Sequence, residues 1–381
     1  MRSALFCKLA SLAGLVAVVG LALPARAEEK KDEAKPAKKK PKVEVVFCLD
    51  TTGSMGGLIE AAKQKIWSIS NQIASGKPTP ELNIGLVAYR DKGDAYITKI
   101  HDLSDDLDAV HGNLKTFQAQ GGGDTPEHVN QALFDAVHKV KWSTDKKTLR
   151  LIFLVGDAPP HMDYTDDVKY PETCKKACQK GIIINTVQCG GDPECAKFWR
   201  DICAKAEGSY VQIEQNGGVV PVVATPFDKD LAKINDELAH STLVFGDRRK
   251  QMEGKEKVTA ATALPAPAKA DRAGFGGKDG RVATYDLLDA VKAKEVDLAK
   301  LKKEELPDEL KKLTLKEQKE YLDKLDKKRS DLQKKAVELD KKRTDFIQDE
   351  LKKKGKDGKS AFDNQVLEVL RKQAKKSKID Y

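Results

Sequence analysis

A chain of 381 residues, 40% of them hydrophobic, exceeds one ordinary compact domain and can bury at least one sizeable core. Its net charge of +9 conceals a split: residues 43–246 carry 21 basic against 28 acidic side chains, residues 1–42 carry 10 against 4, and residues 247–381 carry 37 against 27. An acidic centre suits cation capture and excludes a uniformly basic nucleic-acid binder, so nucleic acid is not an expected partner.

Arg2 and Lys8, an apolar run from Leu9 to Leu23 and then Ala25-Arg26-Ala27 follow the order of a secretory signal peptide over residues 1–27. An apolar run of ~15 residues is short of the ~20 a spanning helix needs. No later segment is longer, so the mature chain is expected to lack a transmembrane segment. It is expected to be exported: periplasmic, cell-surface or secreted. Residues 28–42 are Lys, Glu, Ala and Pro with no apolar face, which predicts a disordered charged spacer.

From residue 43 strands and helices alternate. Val43–Leu49, Leu82–Tyr89, Leu149–Val155, Ile182–Val187 and Tyr210–Ile213 are short β-branched or apolar runs that read as strands, with Ala95–Ile100 as a weaker edge strand. Between them Leu58–Ile73, Ser104–Phe117, Pro126–Val140, Thr173–Lys180, Ala196–Ala206 and Leu231–Leu238 keep helical spacing. The alternation predicts an α/β domain over 43–246: a doubly wound, mainly parallel sheet, Rossmann-like, with helices on both faces.

Export permits disulfides. Cys48 lies in an apolar run and reads as a buried free thiol. Cys174, Cys178, Cys189, Cys195 and Cys203 are spaced unlike any regular zinc motif, and one or two local bridges are expected among them, with connectivity open. Residues 247–280 are rich in Ala, Gly, Lys and Pro and predict a linker. Residues 281–381 are helical in composition and basic. Thr314–Glu317 has the form of a capping box, and Leu322, Leu325, Leu332, Ala336, Leu339 and Phe346 form a coiled-coil-like seam that Arg329 and Arg343 interrupt. Such a tail could meet an anionic envelope component, although its interspersed acids equally describe a solvated face.

The chemistry lies at strand ends. Asp50-Thr51-Thr52-Gly53-Ser54 follows the first strand, and in an open parallel sheet ligands bind at the carboxyl ends of strands. Asp50, Thr52 and Ser54 alternate around one point and offer hard oxygens suited to Mg²⁺ or Mn²⁺, with Ca²⁺ as a further hard ion. Thr125 stands at the end of the loop Gly121-Gly122-Gly123-Asp124, and Asp157 follows the strongest strand. His161 is a weaker candidate, a base facing the metal, while Arg90 and Asp91 could form the rim of the site but read rather as a local pair. There is no Gly-x-Ser-x-Gly nucleophile turn, no kinase motif set, and no lysine after the glycine run to make a phosphate loop.

The run Asp50-x-Thr52-x-Ser54, with Thr125 and Asp157, resembles the von Willebrand factor A domain family and its metal-ion-dependent adhesion site. The family's first motif is Asp-x-Ser-x-Ser, so Thr52 is a departure that keeps the hydroxyl and adds a methyl. The resemblance spans roughly 43–245, and the tail resembles the companion region of some bacterial A-domain proteins. It implies hydroxyls of Thr52, Ser54 and Thr125 on the metal, with Asp50 and Asp157 bound directly or through water. Two carboxylates and three neutral hydroxyls leave a metal open to an acidic group from outside. The expected function is therefore metal-dependent binding of a protein ligand with an exposed Asp or Glu, in adhesion or scaffolding, and not catalysis. The alternatives are a metal-assisted hydrolase using His161 and a structural envelope protein anchored by its basic helices.

Overall fold

The computed structural model describes residues 40–218, 223–353 and 362–381. The expected signal peptide and the spacer up to residue 39 lie outside them. In chain order the first part forms β1 (Lys42–Asp50), α1 (Gly56–Ile73), β2 (Glu81–Tyr89), β3 (Thr98–Ser104), α2 (Leu107–Lys115), α3 (Val129–His138), β4 (Leu149–Gly156), α4 (Tyr170–Gln179), β5 (Ile182–Cys189), α5 (Pro193–Lys205) and β6 (Tyr210–Ile213). The six strands make one sheet in the order β3-β2-β1-β4-β5-β6. Every pair is parallel except β2 with β3. This is the doubly wound, mainly parallel sheet that the alternation predicted. The chain moves outward from β1 to β2, then returns to β1's other side with β4, so strand order reverses between β1 and β4. That reversal opens the crevice where such sheets bind ligands.

Side chains alternate across β1 as a strand buried on both faces requires. Val45, Phe47 and Leu49 join α1 and α2 in one core, while Val46 and Cys48 join α3, α4 and α5 in the other. Several boundaries differ from expectation, and contacts explain two of them. The edge strand begins at Thr98, because Tyr96 turns inward to place its hydroxyl 2.7 Å from Thr51 Oγ1. Helix α3 begins at Val129, because the backbone of Glu127 pairs instead with Pro159 and His161.

The expected linker is absent. Residues 247–280 contain α7 (Arg248–Thr262) and α8 (Ala266–Asp279), which follow α6 (Asp228–His240) and precede α9 (Leu287–Lys292), α10 (Leu315–Lys353) and α11 (Phe362–Ala374). Alanine favours helix, Pro265 and Pro267 sit at the start of α8 where proline is tolerated, and the α8 glycines serve close packing. A Cβ on Gly274 would lie 2.7 Å from the Asp340 carboxyl on α10.

Nor does the sheet's domain close at residue 246. Phe362, Val366, Leu367 and Leu370 of α11 belong to the same core as Phe47, and the Phe47 and Phe362 rings lie 6.1 Å apart. The Asn185 and Gln373 amides bond each other reciprocally at 3.1 and 2.7 Å. The 39-residue α10 packs along α6 and α8 of its own chain rather than in a coiled coil. The arginines that interrupt its seam are buried ion-pair anchors: Arg343 reaches Asp228 and Asp271, and Arg329 reaches Asp286.

The expected disulfides are also absent among the described residues, where all six cysteines are free. Five of these are buried, Cys48 among them as expected, and burial pushes the thiols of Cys174, Cys189, Cys195 and Cys203 up. Cys174 Sγ on α4 reaches the Ile202 carbonyl on α5 rather than another sulfur. A thiol assay on native protein lacking residues 1–27 should therefore label Cys178 first, and all six only on unfolding without reductant. Fewer than six thiols after unfolding would restore a bridge.

Candidate metal centre

Asp50 ends β1 opposite Tyr89 of β2, and its carboxylate is fully buried. The chain then turns through Thr51 and Thr52 into a short 3₁₀ turn, Gly53–Met55, that leads into α1. The Thr52 N–H and hydroxyl both donate to Asp50 Oδ1, at 2.8 and 2.6 Å, and the Thr52 and Ser54 hydroxyl oxygens are 3.4 Å apart. The extra methyl of Thr52 is accommodated by a missing side chain. A Cβ on Gly122, which has φ of +74°, would lie 3.3 Å from the Thr52 methyl and 2.9 Å from its Cβ.

Asp50 Oδ2 is buried and has no hydrogen-bond partner, a costly state for a carboxylate oxygen. It faces β4 at Gly156, where a Cβ would come within 3.0 Å of it and 2.4 Å of the Tyr89 hydroxyl. Burial, with Asp157 adding repulsion, pushes the Asp50 carboxyl up to about 7 despite the bonds from Thr52. Asp157 is half-buried and accepts a 2.6 Å bond from Gln215 Nε2.

The structure thus brings Asp50, Thr52 and Ser54 into direct contact and sets Asp157 within electrostatic reach. Thr125 is exposed and bonds to none of the four among the described residues. Its loop is nonetheless tied to the cluster, because Gly53 N–H donates to the Gly121 carbonyl at 3.0 Å.

Sequence reasoning passed over Glu127, two residues beyond Thr125. It is buried, its Oε2 is unpartnered, and its Oε1 would lie 2.9 Å from a Cβ on Gly122, so it borders Thr52. Burial first, then Asp50, Asp91, Asp94 and Asp157, push its carboxyl up to about 9. Its signal was an acid immediately after the loop's threonine. Arg90 forms no local pair with Asp91. Its guanidinium donates to the carbonyls of Thr51 and Gln118, at 3.1 and 2.8 Å, and so ties the two loops together. His161 turns to Asp91, with Nε2 3.4 Å from Oδ2.

Several acids crowd one crevice with an orphaned carboxylate oxygen and adjacent hydroxyls. Asp50, Thr52 and Ser54, with Asp157, Thr125 and Glu127 around them, fit a hard divalent cation, which would satisfy Oδ2 and offset the repulsion. An open, mainly parallel sheet with such oxygens at its switch point defines an α/β domain with an acidic, oxygen-lined crevice. Residues 44–219 match the family model for the von Willebrand factor A domain, and this part of the chain is a von Willebrand factor A domain. Among curated proteins, a putative ariadne-like RING finger protein from Acanthamoeba polyphaga mimivirus is 29% identical over 119 residues, 31% of this chain. The match spans only 11% of that relative's length. Similar solved structures include BatB from Bacteroides thetaiotaomicron, 19% identical over 45% of this chain and 90% of that one, with a TM-score of 0.34. The SpRpn10 VWA domain is 16% identical over 48% and 99%, TM-score 0.36. Mussel byssus proximal thread matrix protein 1, with a zinc-occupied adhesion motif, is 12% identical over 46% and 43%, TM-score 0.36.

Proposed function

We infer that this protein binds a divalent cation, Mg²⁺ first and Mn²⁺ or Ca²⁺ as substitutes, through Asp50, Thr52, Ser54, Thr125 and Asp157. Through that ion it holds an acidic group of a protein partner. The observation that carries the reading is the buried Asp50 carboxylate, whose Oδ2 is unpartnered and whose Oδ1 accepts from the Thr52 hydroxyl, itself 3.4 Å from that of Ser54. The cation supplies a Lewis-acidic position; the chain supplies its orientation. Thr52 fixes Asp50 Oδ1, Gly156 leaves room for Oδ2, and Gln215 holds Asp157. The neutral hydroxyls leave positive charge unmatched, which favours a carboxylate from outside. The basic start of the chain and its short apolar run support export to the periplasm, the cell surface or the medium. No helix among the described residues is long and apolar enough to cross a membrane.

A paired pull-down from envelope extracts tests this reading. Partners retained in Mg²⁺ should be lost in chelator, lost with Asp50→Ala, and lost when the extract's carboxylates are amidated. Capture that survives all three treatments would contradict it.

A further inference from the structure

Beside the Asp50 cluster lies a second group that its oxygens do not account for. One ligand atom each from Asp91, Asp124 and His161 lie within 4.8 Å of one another. Asp91 and His161 are both about 95% buried, and each carries a polar atom with no hydrogen bond, Oδ1 and Nε2, the latter 3.4 Å from Asp91 Oδ2. The ring of His161 is held from two sides. Its Nδ1 lies 2.8 Å from Asp163 Oδ1, and the Tyr164 ring stacks on it at 4.0 Å with planes 10° apart. If Nδ1–H donates to Asp163, Nε2 keeps its lone pair; carboxylate-to-histidine bonds fix metal-ligating imidazoles in this way. Tyr164 O–H donates to Asp91 Oδ2 at 2.8 Å, which orients that carboxylate too.

We propose that Asp91, Asp124 and His161 form a second divalent-metal site, for Zn²⁺, distinct from the Asp50 cluster. Two carboxylates and a neutral imidazole balance a divalent charge. A nitrogen donor selects a borderline transition ion over Mg²⁺, and three protein ligands suit a tetrahedral ion with its fourth position open. The topology explains the pairing of the sites. The end of β1 supplies Asp50 and the end of β2 supplies Asp91. The glycine loop supplies Thr125 to one site and Asp124 to the other, and the segment after β4 supplies Asp157 and His161. Zn²⁺ in the second site would therefore pin both segments that complete the first.

The probe is Co²⁺, a spectroscopic substitute for Zn²⁺, titrated into the full chain under saturating Mg²⁺. One Co²⁺ per chain should bind and be displaced by Zn²⁺, with visible absorption of a nitrogen-containing site. Asp124→Asn changes an exposed residue and should leave the fold intact. It and His161→Gln should each weaken Co²⁺ at least about tenfold. Asp50→Ala should remove the Mg²⁺ response and leave Co²⁺ binding in place, so the two sites can fail separately. No Co²⁺ uptake in Mg²⁺, uptake indifferent to Asp124→Asn, or uptake lost only with Asp50→Ala would overturn the second site.

Discussion

Replacing Arg343 by methionine should destabilise the protein by ~3–5 kcal/mol, the cost of breaking a buried ion pair from one side. Its Nε and Nη1 each sit 2.7 Å from a carboxylate, Asp228 on α6 and Asp271 on α8. Asp271 is buried, and burial already pushes its carboxyl up against the opposing pull of Arg343. Removing the guanidinium takes the ion-pair partner from both acids and leaves Lys65 as the remaining cation acting on Asp271. Adding Asp228→Asn and Asp271→Asn to the variant should recover much of the loss, because neutral amides need no counter-charge. Denaturant unfolding measures both. A loss under ~0.5 kcal/mol, typical of a surface substitution, would mean that α10 does not pack as described.

Arg329→Met should act similarly through the other anchor, with a loss of ~3 kcal/mol. The Arg329 guanidinium is bidentate to Asp286 at 2.8 and 2.7 Å, and reaches Ser241. Asp286 keeps backbone donors from Leu243 and Asp289, at 2.8 and 2.9 Å, which moderates the effect. Neighbouring Asp289 gives it a pH dependence. Burial, then Asp286, push its carboxyl up to about 6, and Arg329 opposes that shift. A group with a raised folded pKa contributes stability fully present below its unfolded value and lost as pH rises through the folded one. Without Arg329 the folded value rises further, so the variant should lose more stability at about pH 8 than at about pH 5. An equal loss at both would detach Asp289 from the anchor.

The sheet was legible because β1, β2, β4 and β5 are mostly apolar or β-branched runs and the helices between them keep a 3.6-residue rhythm. Strand-end chemistry was legible for the same reason: once β1 and β4 are placed, Asp50 and Asp157 fall on one edge. Reading Ala, Gly, Lys and Pro over 247–280 as a linker failed because composition cannot show that Gly274 is packed against Asp340. Arg329 and Arg343 looked like breaks in an apolar seam, since their partners lie between 43 and 115 residues away in sequence. Glu127 escaped, and Asp91 read as half of a local pair, because burial rather than spacing makes them part of the crevice. Five cysteines within thirty residues suggested bridges, yet α4, β5 and α5 bury most of them separately.

Asp50 is where the account can fail most plainly. With free Mg²⁺ at a hundred times Kd, one site adds about 2.7 kcal/mol to the folded state, a shift of several degrees in Tm. Differential scanning fluorimetry of wild type and Asp50→Ala, each in Mg²⁺ and in chelator, reads it directly. Tm should rise in wild type and not in Asp50→Ala. An equal rise in both proteins would place the cation elsewhere and contradict binding at Asp50.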